Sequence, residues 1–197
     1  MFQVTIPCNI AVYNEFIMHI NIPTSLTLLR IALIPVMVLF FYLDYPFMAA
    51  FIFGIAGLTD WADGYLARKW NQESRLGAFL DPVADKLIVA VAMLLIVERE
   101  AEFWITLAAI AIIGREIVIS ALREWMAEVG KRGKVAVAFI GKVKTTAQII
   151  ALMFLLYNQP LFGVLPIREM GLIALAIATV LTIVSMVQYL QAAFRPE

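Results

Sequence analysis

Long apolar stretches separated by short polar or turn-forming segments run through the chain. The first extends from about Ile22 to Leu43 and opens on Pro23 and Thr24, a proline-plus-hydroxyl pair suited to a helix start. After the turn Asp44-Tyr45-Pro46, a second runs from about Phe47 to Arg68. A polar linker, Lys69 to Leu76, contains Trp70, a ring at home at a membrane interface and compatible with a short surface helix. The third stretch runs from about Phe79 to Val97, with Pro82 near its start, where a missing amide hydrogen is tolerated. An acidic turn, Glu98 to Glu102, precedes a fourth from about Phe103 to Glu128. The glycine-punctuated basic loop Gly130 to Gly141 leads to a fifth from Lys142 to about Tyr157, and the sixth spans about Glu169 to Ala193. One crossing needs about 20 apolar residues for a hydrocarbon core about 30 Å thick. The pattern therefore predicts an all-α integral membrane protein with six transmembrane helices.

Composition agrees: 63% hydrophobic residues, 15% charged and a mean hydropathy of +0.90 are too apolar for a soluble domain of 197 residues. Six spans leave little of that length for a separate soluble domain. Residues 1–19 are apolar and nearly uncharged but lack the positive n-region and cleavage site of a signal peptide; they read as an N-terminal extension or interfacial segment ahead of a domain covering 20–197. The single Cys8 and single His19 exclude an intrachain disulfide and a His-rich zinc site, and weaken any nucleophilic-hydrolase reading.

Net charge is zero, but the basic residues are unevenly placed. Arg68, Lys69, Arg75, Lys86, Arg123, Lys131, Arg132, Lys134, Lys142, Lys144 and Arg195 fall at one membrane face, Arg99 and Arg168 at the other, and Arg30 and Arg115 in or near spans. The positive-inside rule puts the first face, with both termini, in the cytoplasm.

That face also carries the unusual chemistry. Asp60, Asp63, Asp81 and Asp85 lie within or beside apolar sequence, where translocon scales charge about 2.5–3.5 kcal/mol for an aspartate at a helix centre. Asp60, Asp63, Gly64 and Ala67 share one helical stripe, and Asp81 and Asp85 another. Two helix ends that each present a carboxylate pair can hold hard divalent cations, while Gly64, Ala67 and Gly77 leave surface on which a ligand can lie against backbone. Ion pairing with Arg68, Lys69, Arg75 and Lys86 is the plainer explanation of the aspartates, but it leaves the glycines without a role.

The pattern Asp60-x2-Asp63-Gly64-x2-Ala67-Arg68-x8-Gly77-x3-Asp81-x3-Asp85 resembles the complete signature of the CDP-alcohol phosphatidyltransferases. The resemblance implies that the four aspartates bind two divalent cations, Mg2+ or Mn2+, and that these grip the pyrophosphate of a CDP-linked lipid. Two such metals about 3.5–4 Å apart stabilise the charge of an in-line displacement. Gly64, Ala67, Arg68 and Gly77 would then accommodate the CDP-lipid, and Asp85 would be the general base for the attacking hydroxyl. Family chains tend to begin just before an Asn-Ile-Pro run, here Asn21-Ile22-Pro23, which makes Met18 a candidate start.

Five further cations have two readings. Arg30 can snorkel to the membrane surface, or with Thr27 it can point into the bundle toward the lipid nucleotide, which the resemblance favours. Basic loop residues attract anionic lipid; alternatively Arg115, Arg123, Lys142 and Lys144 converge as an anion pocket for a phosphorylated acceptor. Arg115 and Glu116 are adjacent and point about 100 degrees apart, so they are not expected to pair across one helix face. The sixth span carries no charge between Glu169 and Arg195 and reads as scaffold. The runs Gly114-Arg115-Glu116-Ile117, Ala121-Leu122-Arg123-Glu124-Trp125 and Gly141-Lys142-Val143-Lys144-Thr145-Thr146 are similar to those of the bacterial phosphatidylglycerophosphate synthases. This implies CDP-diacylglycerol as donor, sn-glycerol 3-phosphate as acceptor, phospholipid biosynthesis at the bacterial inner membrane, and a homodimer. The rivals are a divalent-cation transporter, a non-catalytic lipid-binding scaffold, or a family member with another acceptor alcohol. A transporter path should continue to the outer face, whereas here the aspartates cluster at one face and no internal repeat is present.

Overall fold

A computed structural model describes residues 22–70, 75–129, 139–161 and 164–194; the side chains of 22, 23, 60–70, 75, 76, 78, 139–143 and 194 fall outside that description. Six helices follow in order: α1 (Ile22–Tyr42), α2 (Pro46–Trp70), α3 (Arg75–Glu100), α4 (Phe103–Glu128), α5 (Phe139–Tyr157) and α6 (Ile167–Phe194). Residues 1–19 and the centre of the basic loop, 130–138, lie outside the described residues, and with them the readings of an interfacial segment and of Met18.

Some helix boundaries differ from the sequence reading, among them the end of α3, which runs on to Glu100 through part of the expected acidic turn. Helix α3 begins at Arg75 rather than near Phe79, so Pro82 sits inside the helix, where it offers no N–H to the carbonyl of residue 78. Helix α2 runs on to Trp70, so Lys69 and Trp70 belong to it and not to a linker. Helix α5 begins at Phe139, ahead of Lys142; Gly141 is absorbed into its first turn instead of breaking it.

The helices close a ring in which α1 packs on α2 and α3, α2 on α5, α5 on α6, α6 on α4, and α4 on α3, with α3 also crossing to α5. One hydrophobic core draws on all six, from Met37 of α1 and Phe53 of α2 through Ile96, Ile112 and Leu155 to Leu175 of α6. Each helix is apolar nearly all round, so what points inward is decided by small and polar positions. On α1, Thr24, Thr27, Arg30, Ile34 and Met37 form the buried stripe while Leu28, Leu29, Val36 and Leu39 are exposed. Helices α5 and α6 approach closely at Gly171, where an added Cβ would lie 2.9 Å from Leu155 Cγ. The outer surface is rich in exposed Ile, Leu, Val and Phe. Among the described residues, three helices are long and apolar enough to cross a membrane, over Thr24–Tyr42, Phe103–Glu128 and Ile167–Ala193. Such a surface suits hydrocarbon, and the chain is a membrane protein on these grounds.

Contacts at the two ends of the bundle show the helices alternating in direction. At the end away from the aspartates, Tyr42 donates to Glu98 at 2.6 Å and Arg168 donates through Nε to Glu100 at 3.0 Å. Arg99 lies over the Phe41 ring, 5.1 Å from its centroid, and donates to the carbonyls of Leu155 and Leu156, satisfying acceptors that the end of α5 would otherwise orphan. The starts of α1, α3 and α5 and the ends of α2, α4 and α6 therefore gather at the opposite end.

Candidate active site

At that gathered end, α1 lies against α3 with its polar stripe turned inward. Thr27 is fully buried and Arg30 is 1% exposed. Thr27 Oγ1 donates to Asp81 Oδ1, and Arg30 Nη1 donates to Asp85 Oδ1 in an ion pair. The i, i+3 spacing on α1 thus matches the i, i+4 spacing on α3 as two successive rungs. Arg30 does not snorkel to the surface. A buried guanidinium is stabilised by a hydrogen-bonded counter-charge, and here that charge is the carboxylate of Asp85.

A second polar group joins α4, α5 and α6. Arg115, 7% exposed, donates to Glu116 Oε1 at 2.9 Å and lies over the Tyr189 ring, 5.6 Å from its centroid. Its other terminal nitrogen reaches Ser185 Oγ at 3.5 Å. Arg123 donates to the Tyr189 hydroxyl at 3.0 Å. Lys144, 1% exposed, forms an ion pair with Glu116. The expectation that Arg115 and Glu116 do not pair is overturned: both side chains are long enough to bend around the helix and meet, although their Cα–Cβ bonds diverge. The scaffold reading of α6 is likewise corrected, since Ser185 and Tyr189 hold the two arginines of α4.

The two groups face one cavity of about 360 Å3. Asp85 and Arg30 line it from one side, Arg115, Glu116 and Arg123 from another, and Thr145 and Gln148 from α5, over a floor that includes Ala56, Gly57 and Ile88. With Lys86 the lining holds four cations against two carboxylates, so the cavity favours an anion. Lys144 is held behind the wall by Glu116. A neighbouring, more apolar cavity of about 290 Å3 between α3 and α4 shares Pro82, Lys86, Val89 and Glu116 with the first and adds Val83, Leu87, Ala90, Ile113 and Ile117.

Asp60, Asp63, Gly64, Ala67 and Arg68 occupy the closing turns of α2, next to the start of α3, but their side chains lie outside the described residues, as does that of Lys142. Gly77 is buried in the first turns of α3. Among the described residues no cluster of three or more potential metal ligands forms; Asp81 and Asp85 are the two of the four aspartates whose side chains are described. Their chemistry fits a hard divalent cation: two carboxylates one turn apart, both partly accessible.

A family model described as CDP-alcohol phosphatidyltransferase matches residues 20–184. The chain belongs to that family. It is also 56% identical over 179 residues to a protein of Shigella flexneri serotype 5b (strain 8401) named CDP-diacylglycerol--glycerol-3-phosphate 3-phosphatidyltransferase, a match covering 89% of this chain and 96% of that one. The protein of the same name from Escherichia coli (strain K12) matches with the same identity and coverage.

Within this CDP-alcohol phosphatidyltransferase, the structure brings Arg30, Asp85, Arg115 and Arg123 to one cavity and puts Thr27 on Asp81. Lys144 it directs to Glu116 rather than to the cavity. Glu116, Gln148, Ser185 and Tyr189 went unassigned in the sequence. Glu116 carried a usable signal, because an acid in an apolar run needs a partner, and Gln148 lies one turn beyond Lys144 on the same helix face. Nothing in the local sequence marks Ser185 or Tyr189.

Proposed function

We propose that this chain transfers the phosphatidyl group of CDP-diacylglycerol to sn-glycerol 3-phosphate, giving phosphatidylglycerophosphate and CMP in phospholipid biosynthesis. Relatives 56% identical over most of the chain carry the name of that reaction, and the observation that carries the acceptor is the shared cavity. Asp85 lines it together with Arg115 and Arg123, which suits a substrate with a hydroxyl to activate and a phosphate to hold. In this reading the acceptor hydroxyl gives its proton to Asp85 as its oxygen bonds the β-phosphorus, and the phosphorus–oxygen bond to CMP breaks. Arg30 fixes the Asp85 carboxylate, and Thr27 fixes Asp81. Arg115 and Arg123, braced by Tyr189, hold the acceptor phosphate, with Lys142 and Lys144 adding positive charge nearby. Gly64, Ala67, Arg68 and Gly77, with Thr27 and Arg30, are proposed to receive the CDP-lipid.

Asp60, Asp63, Asp81 and Asp85 would hold two divalent cations, Mg2+ or Mn2+. When bound, these neutralise pyrophosphate charge and so favour departure of CMP. Incorporation of labelled glycerol 3-phosphate in detergent micelles should therefore cease with excess chelator and return with either metal; full turnover in chelator would remove the metals from the reading. Arg115→Gln should raise KM for glycerol 3-phosphate by about tenfold or more, as expected for a lost charge-assisted bond, and should change KM for CDP-diacylglycerol far less. Equal effects on both substrates would count against an acceptor-phosphate role.

The same reading extends to the finer architecture. The domain spans 20–197, with 1–19 as an extension; all six helices cross the bacterial inner membrane, and the site faces the cytoplasm because the basic residues gather at its end. The functional unit is a homodimer.

A further inference from the structure

Gln148 stands out among the cavity residues. It is 4% exposed, yet it lines the cavity shared by Asp85 and Arg115. Its Oε1 is buried with no hydrogen-bond partner among the described residues. A buried amide oxygen left unpaired is costly, and a leucine would fill similar space without that cost. A carboxamide both accepts and donates, which matches a hydroxyl, a group that does the same; a phosphate only accepts and is already supplied with arginines.

Resting on the acceptor assigned above, the remaining chemistry can be counted. Glycerol 3-phosphate offers a phosphate, an attacking hydroxyl and one further hydroxyl between them. Arg115 and Arg123 answer the first and Asp85 the second. We propose that Gln148 hydrogen-bonds the middle hydroxyl, and so selects a polyol phosphate over a simple hydroxyalkyl phosphate of the same length. A site built to pair a substrate hydroxyl discriminates strongly against the analogue that lacks it, because the protein group is then left buried and unpaired.

The test compares kcat/KM for sn-glycerol 3-phosphate and for 3-hydroxypropyl phosphate, which lacks only the middle hydroxyl, in the full-length protein in detergent micelles. The wild type should prefer glycerol 3-phosphate by at least about tenfold. Gln148→Met, close in volume but without the amide, should bring the two substrates to within about twofold, chiefly by losing rate on glycerol 3-phosphate. Gln148→Asn, which withdraws the amide by one methylene, gives the same readout if the methionine variant does not accumulate. Parity in the wild type, or an undiminished preference in either variant, overturns the assignment of Gln148. A wild-type protein inert toward both substrates would instead overturn the function on which it rests.

Discussion

Asp85→Asn is expected to bind CDP-diacylglycerol in the presence of divalent metal and to turn over about 10²- to 10⁴-fold more slowly, the usual contribution of a positioned general base. Asparagine keeps the shape of the side chain and an oxygen that can accept from Arg30, but it cannot take a proton. The ion pair with Arg30 makes a control necessary, because the substitution also removes the counter-charge of a guanidinium that is 1% exposed. Thermal unfolding of the detergent-solubilised variant separates the two effects: a lost base lowers kcat in a protein that still melts cooperatively, whereas a lost counter-charge lowers Tm. Asp63→Asn should behave differently and weaken metal-dependent binding of the CDP-lipid itself, since a lost ligand disturbs the ground state and a lost base mainly the transition state. Near-normal turnover by Asp85→Asn would send the search for the base elsewhere. Abolished binding would make Asp85 chiefly a ligand.

What the sequence revealed and what it hid follow one physical division. Local periodicity and composition placed α4 at Phe103–Glu128 and gave the other helices to within a few residues, because an apolar run of that length has few alternatives in a membrane protein. The start of α3 was misplaced because Pro82 looked like a first-turn residue, yet a bundle can keep a helix intact around a proline. Within one helix the i, i+3 and i, i+4 spacing was enough to put Asp81 and Asp85 on one face, and Thr27 and Arg30 on another. Which of those faces meet is a tertiary matter. The pairing of Lys144 with Glu116 and the bracing of Arg123 by Tyr189 depend on the axial register of α5 and α6 against α4, which no local pattern encodes. The same limit explains Arg115 and Glu116: the spacing argument concerns directions at Cβ, and long side chains escape it.

Glu116 gives the second large effect, this time on stability. It is the shared counter-charge of Arg115 and Lys144, whose side chains are 8% and 1% exposed, so Glu116→Leu strands two cations in a setting from which water is largely excluded. Breaking a buried ion pair from one side costs about 3–5 kcal/mol, because the remaining charge is left uncompensated. The expected result is a marked fall in Tm in detergent and poor accumulation in the membrane. Removing the stranded cation should recover part of the loss: Glu116→Leu with Lys144→Met is expected to be more stable than Glu116→Leu alone, although Arg115 still lacks its partner. Lys144→Met by itself should cost less than Glu116→Leu, since Glu116 keeps Arg115. The comparison is a double-mutant cycle, and its coupling term isolates the pair from the general effect of altering α5. If Lys144→Met destabilises the Glu116→Leu protein by as much as it destabilises the wild type, the two residues are not coupled and the ion pair does not hold α4 to α5.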